Sequence, residues 1–299
     1  MLIALFLLFS LSFVGVFAVE RLSHTLGIYD ICGERKLHTL PKPRLGGVGF
    51  VIPLLLFFAY IFGLYGVKGE FVGAFIGLSF ILAVGVFDDL FSLSPCKKFI
   101  FQVCASIISS LFIYVDRISF FGSMEIYTGR TLGYILSVIL TVISMNAINL
   151  ADGIDTLAVF TVFPAFAVAS LTADRDGVSL LFLAVLFAML GFLPRNLNPA
   201  KCFMGDCGSQ SLGFLIGYAV ISTGDREIRP EMLLPVTVPI FDMLLAVIRR
   251  IVAGRSPFSA DAEHIHHKLI KLGIPDKGVA SLLFFIGSLF SFLTLLLDL

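Results

Sequence analysis

The stretch 146–158 holds Asn146, Asn149, Asp152 and Asp155 between two long apolar runs, with no cation among them. An aspartate at the centre of a bilayer helix costs about 2.5–3.5 kcal/mol on insertion scales, and polar groups retained there do chemistry or hold an ion. A plainer reading is a helix-to-helix turn capped by Asn and Asp, which Gly153 would suit. Four other polar clusters argue against it. Arg35, Lys36 and His38 precede Pro41, Pro43, Arg44, Gly46 and Gly47; Asp88 and Asp89 precede Lys97 and Lys98; Phe203, Gly205, Asp206, Gly208 and Ser209 share one stretch; and His264, His266 and His267 form the last.

Asp88 and Asp89 close an apolar run. If that run is a helix, its carboxyl end favours cations, so two acids there are misplaced for stability alone. The glycines around Asp206 let backbone approach a ligand closely; an ordinary Gly/Asp turn is the simpler alternative. These acids and Asn149 offer hard oxygen donors. Such donors suit Mg²⁺, which keeps several waters and shares substrate phosphates. Basic residues beside them suit phosphate recognition. The histidines lack the i, i+4 spacing of a helical zinc site, and phosphate binding or acid–base work fits them better. Cys202 and Cys207 read as small, reduced residues rather than a metal pair. The residues alone therefore describe a metal-dependent membrane enzyme that handles phosphates.

The elements that must position these groups are membrane helices. The chain of 299 residues is 58% hydrophobic, with a mean hydropathy of +1.00 and no net charge. The apolar excess lies in runs of about 17–20 residues, enough to cross a hydrocarbon core. A transmembrane β-barrel would need short alternating segments, and a nucleic-acid binder a basic balance. The expected fold is all-α and polytopic. About ten spans fall near 1–19 (read as an uncleaved first span), 46–65, 71–87, 99–115, 132–148, 157–172, 178–194, 210–223, 233–251 and 279–297, in one integral membrane domain over 1–299. With connections numbered alternately, 15 of the 21 Lys and Arg fall on one face and six on the other. The positive-inside rule makes the richer face cytoplasmic. All five clusters lie in its loops. On the other face, residues 116–131 read as a small β-hairpin.

In this order, the motifs resemble the polyprenyl-phosphate N-acetylhexosamine-1-phosphate transferases, over nearly the whole chain. The resemblance implies that the phosphate of a lipid carrier such as undecaprenyl phosphate attacks the sugar-linked phosphorus of a UDP-sugar in the lipid bilayer of the cell membrane. UMP leaves, and the product starts a teichoic acid, O-antigen or related surface glycan. It implies that Asp206 is the chief Mg²⁺ ligand and Asn149 the second. Asp88 would take a proton from the lipid phosphate or, in a rival mechanism, act as nucleophile. Asp89 and Lys98 would place phosphates. Phe203 would stack on uracil, with Asp155 near the base's edge and Asp152 lining the nucleotide pocket. His264, His266, His267 and Arg255 would close over sugar and diphosphate. A homodimer is also implied. Thr156 stands where the family usually has Gly, a change expected to alter a tight turn.

The spacing of His264, His266 and His267 resembles the N-acetylglucosaminyl branch, which favours UDP-N-acetylglucosamine over UDP-N-acetylmuramoyl-pentapeptide. The alternative of another class is an ion-coupled transporter. It would use mid-membrane acids such as Asp242, a residue that would approach the site instead if its helix broke after Pro239.

Overall fold

A computed structural model describes residues 1–30, 41–120, 124–224, 226–259 and 263–298. Arg35, Lys36 and His38 lie outside the described residues. In chain order the elements are α1 (Leu2–Leu26), β1 (Tyr29–Asp30), β2 (Lys42–Pro43), α2 (Gly46–Tyr65), α3 (Gly69–Phe91), α4 (Pro95–Ser110), β3 (Arg117–Phe120) and β4 (Met124–Tyr127). Then come α5 (Gly129–Ala151), α6 (Leu157–Thr172), α7 (Asp176–Asn196), α8 (Gly205–Ser222), β5 (Glu227–Ile228), a 3-10 segment (Pro230–Val236), α9 (Thr237–Val252), α10 (Ile265–Lys271) and α11 (Asp276–Asp298). Each of the ten expected spans overlaps a helix, although that over 99–115 ends at Ser110 and that over 233–251 begins in the 3-10 segment.

Among the described residues, seven helical stretches are long and apolar enough to cross a membrane: α1, α2, α3, α5, α7, the continuous Pro230–Val252 unit and α11. The chain is a multi-pass membrane protein. Helix α6 is apolar but shorter. Helix α8 is not among the seven, and its surroundings explain why. Every residue from Cys207 to Ser222 is buried, so α8 faces protein on all sides and does not need the hydropathy of a lipid-facing helix. Close approach replaces it. A side chain on Gly213 would overlap the Met145 backbone of α5, and one on Gly217 would overlap Thr141 one turn along. Small residues at such crossings let backbones pack tightly. Hydroxyls inside the bundle bond back to their own helices, as Ser106 does to the Gln102 carbonyl at 2.8 Å and Thr141 to that of Ser137 at 2.8 Å.

The outer hairpin is present as β3 and β4, paired antiparallel with Ile118 opposite Ile126; residues 121–123 lie outside the described residues. Strand β5, which lies in an expected connection, adds parallel to β3.

Three of the differences from expectation bear on the site. Helix α3 runs through Asp88 and Asp89 to Phe91. Helix α8 starts at Gly205, so Asp206 lies in a first helical turn instead of a loop. The break before α9 is the 3-10 segment ending at Val236 rather than a kink after Pro239. Pro239 lies in the first turn of α9, where its missing N–H has no helical partner to lose.

The turn between α5 and α6 explains Thr156. Its backbone is left-handed, with φ 71°, the region where glycine is least strained. Thr156 holds it through two bonds to Asn196: its N–H donates to Oδ1 at 3.0 Å and its hydroxyl to the carbonyl at 3.0 Å. Thr156→Gly relieves the backbone but loses the hydroxyl bond, so stability should change by less than about 1 kcal/mol. Thr156→Val keeps the strain and strands a buried carbonyl, at a cost of about 1–3 kcal/mol. Unfolding in detergent would measure both; a Val variant as stable as the parent would contradict this account.

Candidate active site

The site begins with a carboxylate at the end of one helix and the start of another. Asp89, in the last turn of α3, accepts hydrogen bonds from the N–H groups of Asp206 and Cys207, each at 3.0 Å. Those are orphan donors of α8, so Asp89 caps a helix it does not belong to. It stands at the disfavoured end of its own dipole and at the favoured end of another. Gly205 makes the approach possible: its φ is +70°, and any side chain there would strike the Arg44 carbonyl and Asp89.

Arg44 completes the clamp. Its Nε and Nη2 donate to Asp89 Oδ1 at 3.0 and 2.7 Å, and Nη2 lies 3.4 Å from Asp206 Oδ2. The proline and glycine motif around Arg44 is held by backbone bonds to the stretch before α8. Phe203 N–H donates to the Pro43 carbonyl at 2.8 Å, Gly46 N–H to that of Phe203 at 2.9 Å, and Gly47 N–H to that of Met204 at 2.8 Å.

Lys98, in the first turn of α4, bridges the other two acids. Its ammonium pairs with Asp88 and lies 3.3 Å from Asp206 Oδ2. Asp88 Oδ1 also accepts from Leu93 N–H at 2.7 Å. Asn149, on the last turn of α5, donates to Asp206 Oδ1 at 2.6 Å and to the Ser209 hydroxyl at 2.9 Å. The side chains of Asp88 and Asp89 are 2% and 0% exposed, whereas that of Asp206 is 14% exposed. Of the three acids, Asp206 is the one most open to a ligand.

One turn deeper lies a layer of amides. Gln102, Asn146 and Gln210 follow or precede Lys98, Asn149 and Asp206 by one helical turn. Asn146 donates to Gln102 Oε1 at 2.8 Å, and Gln102 to Gln210 Oε1 at 3.4 Å. These bonds join α4, α5 and α8 directly behind the acids.

A second group adjoins the first. Asp155 accepts from Ala200 N–H at 2.8 Å and from Asn198 Nδ2 at 3.2 Å, and Lys42 Nζ lies 3.5 Å away. The same Lys42 ammonium stands 4.9 Å from the centre of the Phe203 ring. Asp152 lies within the field of both groups. Burial, and then the charges of Asp206, Asp89, Asp30 and Asp155, push its carboxyl well above the ordinary range.

The histidines form a third group, on a short helix rather than a loop. His264 caps α10, and the buried His266 ring lies against Gly153, where any side chain would displace it. His264 and His266 lie parallel with centres 5.9 Å apart, and His267 is 4.2 Å from His266. Arg255 is not brought in. Its side chain is exposed, and among the described residues no side-chain bond joins it to the acids; the turn after α9 carries it outward.

The structure thus gathers Asp88, Asp89, Asp206, Asn149, Lys98, Asp152, Asp155, Phe203 and the three histidines at one end of the bundle. The sequence reading did not name Arg44, Lys42, Gln102 or Gln210 as site residues. The signals were present: a basic residue just before Gly46 and Gly47, and amides four positions after Lys98 and Asp206 in apolar runs.

Known proteins share this arrangement of sequence. Residues 71–224 match the family model described as glycosyl transferase family 4, which spans α3 to α8 and so the acids, Lys98 and Asn149. The chain is 34% identical to a probable undecaprenyl-phosphate N-acetylglucosaminyl 1-phosphate transferase of Bacillus subtilis, covering 91% of this chain and 78% of the relative. The chain belongs to glycosyl transferase family 4. Two further relatives cover similar lengths. A decaprenyl-phosphate N-acetylglucosaminephosphotransferase of Mycobacterium leprae is 32% identical over 84% of this chain and 72% of its own. An undecaprenyl-phosphate alpha-N-acetylglucosaminyl 1-phosphate transferase of Escherichia coli is 28% identical over 88% and 74%. Within this glycosyl transferase, the matched stretch leaves out Arg44, which the fold brings to Asp89 and Asp206, and the histidines, which it brings to Gly153.

His266 gives the family 4 chain a pH response. Burial, with His267 and His264 nearby, lowers its pKa to about 4. The unfolded chain then binds the proton more readily than the folded one. The stability tied to this group is intact above about pH 6.5 and is lost as pH falls toward 4, by on the order of 3 kcal/mol. Melting temperature in detergent should fall further between pH 7.5 and pH 5 in the parent than in His266→Gln. Equal falls would contradict the assignment.

Proposed function

We propose that this chain transfers N-acetylglucosamine 1-phosphate from UDP-N-acetylglucosamine to undecaprenyl phosphate, in the cell membrane, with the site facing the cytoplasm. The reading is carried by one observation: three carboxylates, two cations and an amide converge at the helix ends of a multi-pass bundle whose relatives are named for this transfer. The positive-inside rule supports this orientation, since ten alternating spans in the sequence put 15 of the 21 Lys and Arg on the face that carries the site motifs.

One oxygen of the lipid phosphate attacks the sugar-linked phosphorus. A new P–O bond forms as the bond to UMP breaks, and the sugar–oxygen bond is untouched. The proton of the lipid phosphate passes to Asp88. Asp88 is covered by Lys98, so the incoming phosphate must first draw that ammonium away. Lys98 then neutralises the phosphates it was displaced toward. Asp89 has no oxygen to spare, since Arg44 and the start of α8 take both. It acts by aiming Asp206. Lys42, Asp155 and Phe203 suit the nucleoside end: an aromatic face, a carboxylate acceptor and a cation for phosphate.

The donor set fits Mg²⁺. Asp206 and Asn149 offer two hard oxygens at the open side of the cluster, and three carboxylates outnumber the two cations. Mg²⁺ is an ion that keeps waters and shares substrate phosphates. Asp206 and Asn149 would hold it, and bound there it would neutralise the diphosphate. A transporter built on Asp242 is less well supported, because that acid is bonded to the histidine segment.

The test is UMP release by purified protein with undecaprenyl phosphate, Mg²⁺ and a panel of UDP-sugars. Lipid-dependent UMP from UDP-N-acetylglucosamine should be lost on chelation and fall about 10²–10³-fold or more in Asp206→Asn. No UMP from any sugar, with the protein folded, would overturn the proposal.

A further inference from the structure

Asp242 is the acid of α9, a helix whose other exposed faces carry Phe241, Leu244, Leu245 and Ile248. Nothing in the transfer reaction described above uses it. Its two oxygens are nonetheless committed. His264 Nδ1 lies 3.1 Å from Oδ2, and Ile265 N–H donates to Oδ1 at 3.1 Å. Both partners belong to the start of α10, which has only seven residues. A helix that short does not hold itself in water. Its place must be set from outside, and besides the His266 ring on Gly153 two contacts set it. Leu269 and Ile270 pack on the small apolar cluster of Ile154, Leu157, Val279 and Leu283, and Asp242 fixes the other end.

The consequence passes along the histidines. With His264 held by Asp242, the His266 ring stands parallel to it and rests on Gly153, beside Asp152. Asp242 and His266 also line one cavity, together with Ala151, Leu157, Pro239 and Leu283. An acid in an apolar helix is costly to retain. Here it forms a carboxylate–imidazole pair that fixes which way the ring points, as carboxylates do for histidines elsewhere.

We propose that Asp242 is a positioning residue for the UDP-sugar: it anchors His264 and the first turn of α10, and so sets His266 over the turn at Gly153. This rests on the transferase reading. The anchor predicts a specific pattern in kinetics and in exchange. Asp242→Ala should raise KM for UDP-N-acetylglucosamine about 10-fold or more while leaving KM for undecaprenyl phosphate within about 3-fold. Asp242→Asn keeps an acceptor for Ile265 N–H and should recover most of the loss. Because Asp242 and His264 act as one unit, the double variant Asp242→Ala/His264→Ala should be no worse than the poorer single variant, within about 3-fold.

Hydrogen exchange over Ile265–Lys271 should quicken in Asp242→Ala, in the purified full chain and without substrate. Multiplying losses in the double variant would overturn the proposal, as would a loss confined to the lipid KM or unchanged exchange over α10. A parent protein that releases no UMP would remove the transferase reading instead, and the exchange measurement would still decide the anchor.

Discussion

Everything at this site hangs on the carboxylate of Asp89. It ends one helix and starts another, taking two backbone N–H groups of α8 and the guanidinium of Arg44. Each member would be costly alone: an acid at a helix carboxyl terminus, orphan amides at a buried helix start, an arginine half out of water. Together they satisfy one another. Charge-assisted bonds of this kind are the strong ones, and removing one partner from a buried set leaves the others uncompensated. The geometry that results points Asp206 outward, with Lys98 on one side and Asn149 on the other.

The bundle makes that arrangement rigid. Helix α8 is enclosed by protein, so its sequence is free to carry glycine, serine and glutamine in place of lipid-facing side chains. Its glycines bring α5 close enough for Asn149 to reach Asp206. The amides of Gln102, Asn146 and Gln210 tie α4, α5 and α8 together one turn below. A site built on helices so tied holds its reacting groups more precisely than one on loops. The histidine segment is the exception. It is a short helix, it approaches from the far end of the chain, and its hold on the site passes through Asp242 and Gly153.

Much of this was legible in the sequence, for a physical reason. In a membrane, apolar length dictates helices, so ten segments could be read directly, and each overlaps a helix. Polar residues are costly there, so Asp88, Asp89, Asn149, Asp152, Asp155 and Asp206 stood out and are gathered by the fold. What was not legible depends on contacts between distant segments. Asp206 was read as part of a loop because glycines surround it; only the cap supplied by Asp89 shows why a helix starts there. Arg44 was visible as a basic residue, but not as the partner of Asp89. Arg255 was expected at the site only through the resemblance, and its side chain is exposed after α9. Thr156 was read as a departure in a tight turn, and its left-handed backbone agrees; Asn196, which holds it there, lies too far along the chain to be foreseen.

The central claim is that Asp89 works through Asp206 and not on the substrate. The most direct measurement is UMP release against Mg²⁺ concentration for Asp89→Asn beside Asp206→Asn. An asparagine at 89 keeps one acceptor for the start of α8. The account predicts that Asp89→Asn needs about 10-fold more Mg²⁺ and recovers much of its rate at saturation, whereas Asp206→Asn is not rescued. Asp89→Asn as inactive as Asp206→Asn at every Mg²⁺ concentration, in a protein that remains folded, would contradict it.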